Sequence, residues 1–396
     1  MCNLSRKRTT LIGIMKKNKI VCNYALLGIA SLVLLGCHAN EVPNYIADTV
    51  LAIPFSENSV DRRLNMSELT DSVEYIPIET NPALYPISHA TCVKYIADKL
   101  YIQDVAQRLH IVNRQGKIIG QLSAIGKAKD EYISLGRFDV NPATGQISIY
   151  DNASRKMNIY SPQCDFIRSI RLDNNGLIDD FAVLPNGDHL MYLETFHSDD
   201  VRRGLWRIDS LGQFKNQYFD ISNDFKYSSG LFPNMFQHIN DTVISLKGHQ
   251  DKNFIYHITQ DTIKAAYKFE YDIPFADEIK NIRYANDEMR RKYAGKYYDK
   301  TDCMENNKWL LLTTTNGQKN VVLLYNKLTQ EKIVFNSEDI KDVIVNDVGF
   351  PVKLTTFGNN IFVGLFYSET FESINNLKER FPHLSLNSNP VFALYY

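Results

Sequence analysis

Signatures of a specific chemistry are missing from this 396-residue chain. It has no His-Glu-x-x-His pair, no Gly-x-Ser-x-Gly elbow, no phosphate-cradling Gly-x-x-x-x-Gly-Lys and no EF-hand loop, so no motif supports a zincin, serine hydrolase, P-loop or calcium-sensor reading. Cysteine is scarce. Of six, Cys2, Cys22 and Cys37 fall near the N-terminus, which leaves Cys92, Cys164 and Cys303. Three widely spaced thiols build neither a disulfide framework nor a zinc site. An excess of positive charge is also lacking: 44 basic side chains meet 45 acidic ones, and six of the bases (Arg6, Lys7, Arg8, Lys16, Lys17 and Lys19) precede Cys37 in a segment with no acid. Beyond that segment 38 bases face 45 acids. A nucleic-acid partner, which wants a basic surface, is therefore not expected.

Long apolar runs are absent as well. The run from Tyr24 to Leu35 has about twelve residues, where a bilayer span needs ~20. That length suits the core of a secretory signal, and the basic stretch starting at Met15 precedes it as such a signal requires. Leu34-Leu35-Gly36-Cys37 resembles the bacterial lipoprotein signal, in which cleavage leaves an acylated cysteine first. Residues 1–36 are thus expected to be a signal peptide, with Met15 a candidate start, and Cys37 the lipidation site. The polar stretch 37–70 reads as a tether, and the implied location is the bacterial envelope, at the outer membrane.

Short strand-like runs then recur: Lys99–Ile102, Gln146–Tyr150, His189–Leu193, Thr242–Leu246, Trp309–Leu312 and Asn360–Leu365. From Leu100 through Ile147, Leu190, Val243 and Leu310 to Ile361 the steps are 47, 43, 53, 67 and 51, near the handful of tens that propeller blades occupy. A hairpin pattern follows most of them. Val112 to Ile118, Tyr160 to Phe166 and Ile208 to Phe214 share a spacing of six. The sixth copy stops at 390–396 after its third strand. The spare run 72–79 can supply the fourth, and its Pro77, which cannot donate to a ladder, fits an edge. The fold expected is all-β: a six-bladed β-propeller over 71–396, closed by pairing the N-terminal strand with the C-terminal blade.

The runs DSVEYIPIET at 71–80, KLYIQD, LHIVNRQGKIIGQL, DEYISLGRFDV at 130–140 and ISIYD resemble the six-bladed propeller lipoproteins of gut Bacteroidetes, which are similar to NHL-repeat propellers. The Gly-x-Gly-Pro-Gly-Glu-Tyr loop of that family reads Gly126-Lys127-Ala128-Lys129-Asp130-Glu131-Tyr132 here, keeping the first glycine and the Glu-Tyr pair. The resemblance implies fold and address rather than a reaction.

Loops of a four-stranded blade alternate between the two faces of the disc. The Gly126–Tyr132 loop and two long insertions, 271–295 and 368–386, fall on one face. Apolar residues three or four apart (Ile279, Ile282, Ala285, Met289, Tyr293; Phe371, Ile374, Leu377, Phe381) predict helices in both insertions. Glu131, Tyr132, Arg290, Arg291, Tyr297 and Tyr298 are the candidate binding residues, with Glu131 and Tyr132 also placed to fasten their loop. Asp104, Asp139, Asp151, Asp179 and Asp180 pose the question of a channel metal, but Asp104 and Asp151 end strands, where Asp caps turns. The histidines are scattered without ligand spacing. No cofactor or metal is expected. The function expected is an envelope-anchored binding or scaffold module for a glycan, peptide or protein partner, with a propeller hydrolase or lyase carrying a channel metal as the alternative.

Overall fold

The computed structural model describes residues 50–396 apart from 57–63, 173–175, 227–233, 249–252, most of 273–298, 316–319, 337–339, 342–353, 359 and most of 368–380. Six antiparallel blades of four strands follow one another along the described chain, the fourth carrying a fifth, parallel strand at its edge. Their first strands are Ala90–Ile96, Leu135–Val140, Asp180–Val183, Phe236–His238, Asp299–Glu305 and Leu354–Phe357. The recurrent runs seen in the sequence are the second strands, such as Lys99–Asp104, Ile147–Asp151 and His189–Leu193. First strand meets first strand between the first and sixth blades and between the second and third, third and fourth, and fifth and sixth, while the second strand of blade four meets the first of blade five. The first strands therefore ring the central axis.

Six apolar clusters lie one at each interface between consecutive blades, from the pair of blades one and two to the pair of six and one. Successive residues of a strand go to opposite neighbours: Leu100 and Ile102 pack toward blade six, Tyr101 toward blade two. Each blade is thus buried on both faces. That burial explains why the second strands are near-continuous apolar runs instead of alternating ones.

The ring closes as the sequence predicts. Val73–Pro77 pairs antiparallel with Val391–Tyr395, with Tyr75 opposite Ala393 and Pro77 opposite Val391. The first-blade hairpin seals the seam: Glu79 N–H donates to the Gly116 carbonyl at 2.8 Å. Gly116 has φ +79°, and a Cβ there would lie 2.1 Å from the Pro77 oxygen, so both the turn and the approach require glycine.

Two pieces of the expected tether are folded. Leu51–Phe55 adds a fifth strand, parallel to Ile263–Tyr271, on the outer edge of blade four. Leu64 and Met66 are fully buried between blades five and six, where a 3-10 turn, Met66–Glu68, is closed by an Asn65/Glu68 capping box. The helical insertions expected at 271–295 and 368–386 gain no support, since most of both segments lies outside the described residues. Among the described residues no helix is long and apolar enough to cross a membrane.

Candidate functional site

Three first strands each place a charged or titratable side chain in the channel. Asp139 of blade two, fully buried, receives Lys94 Nζ of blade one at 2.8 Å and His238 Nε2 of blade four at 2.9 Å; the Val183 amide of blade three donates to it at 2.7 Å. Burial alone raises a carboxyl, but Lys94 and then His238 outweigh it and hold Asp139 well below the carboxylate range. An ionised carboxylate only accepts, so the His238 proton facing it sits on Nε2. Nδ1 of His238 has no partner among the described groups, and the residue is 8% exposed.

A second cluster joins blades four and five. Glu305, fully buried, meets Lys327 Nζ at 2.7 Å, His257 Nε2 at 2.8 Å and Ser245 Oγ at 2.9 Å. Here too the partners overcome burial and keep the carboxyl below its ordinary value. His189 has the opposite fate. Its Nε2 meets only the neutral Ser148 Oγ, 3.1 Å away, and burial pushes its imidazole down to about 4.

The five aspartates considered for a metal do not converge. Asp104 accepts from the Ser88 and Arg108 amides and from His110; Asp151 accepts from the amides of Ile133, Ser134, Ala153 and Ser154. Asp179 accepts from the Glu194 and Thr195 amides, and Asp180 from those of Met235 and Phe236. Among the described residues no group of three His, Cys, Asp or Glu side chains is arranged to hold a metal.

Two cavities lie along the channel. An inner one of about 30 Å³ is lined by Lys94, Gln237, His238, Cys303 and their neighbours. An outer one of about 310 Å³ is walled by Asp98, Arg114, Asn240, Asp241, Asn360 and Tyr396. Tyr95, Ile96 and His238 line both and so separate them. The outer cavity is built from first-to-second strand turns of blades one, two, four and six. It opens on the face opposite the one that carries the inter-blade loops.

The binding residues chosen from sequence sit on that other face or lie beyond description. Tyr132 is fully buried, and its hydroxyl donates to the carbonyls of Gln107 at 2.8 Å and Leu122 at 3.1 Å. The Glu131 carboxylate accepts from the Ala128 amide at 2.7 Å and lies where a Cβ on Gly126 would be, 2.0 Å away. Both residues fasten the loop between blades one and two. Arg291 is exposed; Arg290, Tyr297 and Tyr298, like Cys37, lie outside the described residues. The pairing of Lys94, Asp139 and His238 escaped sequence reasoning, although a charge among the apolar residues of Cys92–Ile96 and of Phe138–Val140 was a readable signal.

The family model described as "Domain of unknown function (DUF4934)" matches residues 50–396. Among solved structures, a Bacteroides fragilis protein described as exported superposes with a TM-score of 0.68 at 16% identity, over 88% of this chain and 99% of that one. A DUF4221 family member from Bacteroides vulgatus gives 0.47 at 11%, over 82% and 96% of the two chains. A catalytically inactive virginiamycin B lyase of Staphylococcus aureus, with quinupristin, gives 0.42 at 11%, over 82% and 100%. The first supports the fold; the other two carry no argument. No curated protein matches.

Proposed function

We propose, for a chain that belongs to the DUF4934 family, a role as a binding module of the bacterial envelope, lipid-anchored at Cys37 and taking a glycan, peptide or envelope-protein partner on its ring. One observation carries this reading: the buried carboxylates of Asp139, in the channel, and Glu305, between blades four and five, are neutralised by the protein's own Lys and His side chains, while one face opens a polar cavity of about 310 Å³. That volume is at the lower end of ligand pockets, which run ~300–1,000 Å³. A channel hydrolase or lyase would need free carboxylates, and Asp139, Asp180 and Glu305 are each committed to fixed partners. From Cys37 to the first described strand at Leu51 the chain is fourteen residues, which reach at most ~50 Å.

Glycan-array and envelope pull-down measurements on the purified protein test the reading. Binding is expected to weaken at least tenfold when the exposed rim residues Asp241 and Asn360 are replaced by Trp, which fills the cavity mouth. Unchanged binding in that variant, together with loss on deleting 275–293, would place the ligand instead on the face of Arg290, Arg291, Tyr297 and Tyr298. No ligand of any class would sink the binding role itself.

A further inference from the structure

We infer that the face opposite the outer cavity docks on an anionic phospholipid surface through blade one and its link to blade two, whatever the cavity itself binds. Four large apolar side chains stand on loops of that face. Tyr85 precedes the first blade, Val105 is in its second-to-third strand turn, and Ile125 and Ile133 are in the connection to blade two; they are 42 to 59% exposed. Contacts make them one surface. Arg108, at the end of the Val105 turn, stacks its guanidinium on the Tyr85 ring at 4.2 Å. Gln107 of the same turn accepts from the hydroxyl of Tyr132, which pairs with Ile125 and precedes Ile133.

The surface is held in place from beneath. Both backbone groups of Tyr85 bond to the Gln121 side chain, its N–H at 3.1 Å and its carbonyl at 2.7 Å. Gln121 Nε2 lies 2.9 Å from His110 Nδ1, and His110 Nε2 lies 3.0 Å from Asp104, which also accepts from the Arg108 amide at 3.0 Å. The chain Asp104, His110, Gln121 thus fixes the backbone under Tyr85 and Arg108, so the pair is ordered before anything binds.

Charge selects the occupant. Lys127 and Lys129 are exposed between Ile125 and Ile133, and Arg108 Nε has no hydrogen-bond partner among the described groups. Apart from the exposed Asp130, the acids of these segments are tied to backbone amides: Glu79 to Ile118, Asp104 to Ser88 and Arg108, Glu131 to Ala128. Beyond Cys37 the chain carries more acid than base, so this patch is basic against the trend. A protein partner requires a complementary shape. A lipid surface asks only for protruding apolar groups with cations beside them, each cation strengthening attachment about fivefold. Docked in this way, the ring turns the outer cavity away from the bilayer.

The test takes the chain from residue 37 onward as the Cys37→Ser variant, which keeps every described residue and leaves no thiol there for an acyl group. It is sedimented with vesicles of phosphatidylcholine alone or with about 30% phosphatidylglycerol. Expected is attachment at least tenfold tighter to the anionic vesicles, lost as salt rises from roughly 0.1 to 1 M. Lys127→Glu/Lys129→Glu and, separately, Ile125→Ser/Ile133→Ser each weaken it at least tenfold while the urea midpoint holds, since all four side chains are exposed. Asp241→Trp/Asn360→Trp, on the cavity rim, leaves it unchanged. Equal attachment to both vesicles, attachment that survives both surface variants, or no attachment at all overturns the inference. So does absence from vesicles while capture of an acidic envelope protein is lost in the lysine variant, which gives the patch to a protein partner. None of these failures touches binding at the outer cavity, which the rim variant reads separately.

Discussion

Replacing Ala393 by proline is expected to destabilise the ring by at least about 1–3 kcal/mol, the cost of leaving a buried ladder group unpaired. Ala393 is fully buried in Val391–Tyr395, a strand flanked on both sides, by Phe362–Phe366 of its own blade and by Val73–Pro77 from the start of the fold. Proline there deletes a ladder amide and crowds the neighbouring strands. Phe392→Ala attacks the same seam through packing: the ring is fully buried in the cluster joining blades six and one, and such truncations cost ~3–5 kcal/mol. Urea denaturation should show both losses, whereas proline at the exposed Leu386 should be nearly silent. Equal midpoints for all three would mean that the C-terminal strand does not close a circle.

Removing the carboxylate at the centre of the channel is the second large effect. Asp139→Ala leaves the buried Lys94 ammonium without its 2.8 Å partner, and breaking a buried pair costs ~3–5 kcal/mol. Replacing both at once, Lys94→Met with Asp139→Leu, should return much of that stability, because no charge is then stranded. The same chemistry gives stability a pH signature with two phases. His189 titrates near 4 when folded and near 6.5 when unfolded, so the unfolded chain takes up its proton first and about 3 kcal/mol is lost as pH falls across that window. Asp139, Glu305 and Asp104 are held below their ordinary values; their contribution is complete above ~4.5 and disappears as pH falls further through their folded-state values. Urea midpoints measured from pH 7.5 to 3 should fall in both windows, and His189→Asn should remove the upper phase alone. A flat profile down to pH 4 in the parent protein contradicts the burial argument.

The architecture was legible because it rests on local signals that repeat. Apolar runs recurring every 43 to 67 residues, hairpins in one register, a spare strand at 72–79 and a last blade one strand short together point to a closed ring of six. Pro77 even marked its own strand as an edge, and it is one. The site was far less legible. Lys94 and Asp139 are 45 positions apart, and His238 and Asp139 are 99 apart, so only the ring's closure makes them neighbours. Weighing the aspartates together as metal ligands grouped residues with different tasks: Asp104 and Asp151 cap turns, whereas Asp139 and Asp180 tie neighbouring blades together. The sequence marks Tyr132 and Glu131 both as binding candidates and as fasteners of their loop, and the structure shows the fastening: the Tyr132 hydroxyl donates to the Gln107 carbonyl and the Glu131 carboxylate accepts from the Ala128 amide. The stretch 37–70 looked polar overall, which hid the two apolar pairs, Ile53 with Phe55 and Leu64 with Met66, that bury themselves against blades four, five and six.

Every assignment of face and channel depends on the seam, and a cysteine pair reads it directly. Pro77 and Val391 are opposite residues of the closing ladder, and facing Cα atoms there are ~4.5–5.5 Å apart, inside the range a disulfide spans. Pro77→Cys/Val391→Cys, oxidised in the folded protein, should form an intramolecular bridge and raise unfolding stability by about 5 kcal/mol through the long loop it closes. Non-reducing electrophoresis should show a single faster band that reverts on reduction. Folded protein in which those two thiols remain free, or link only between molecules, would contradict the closed ring and with it the site placed at its mouth.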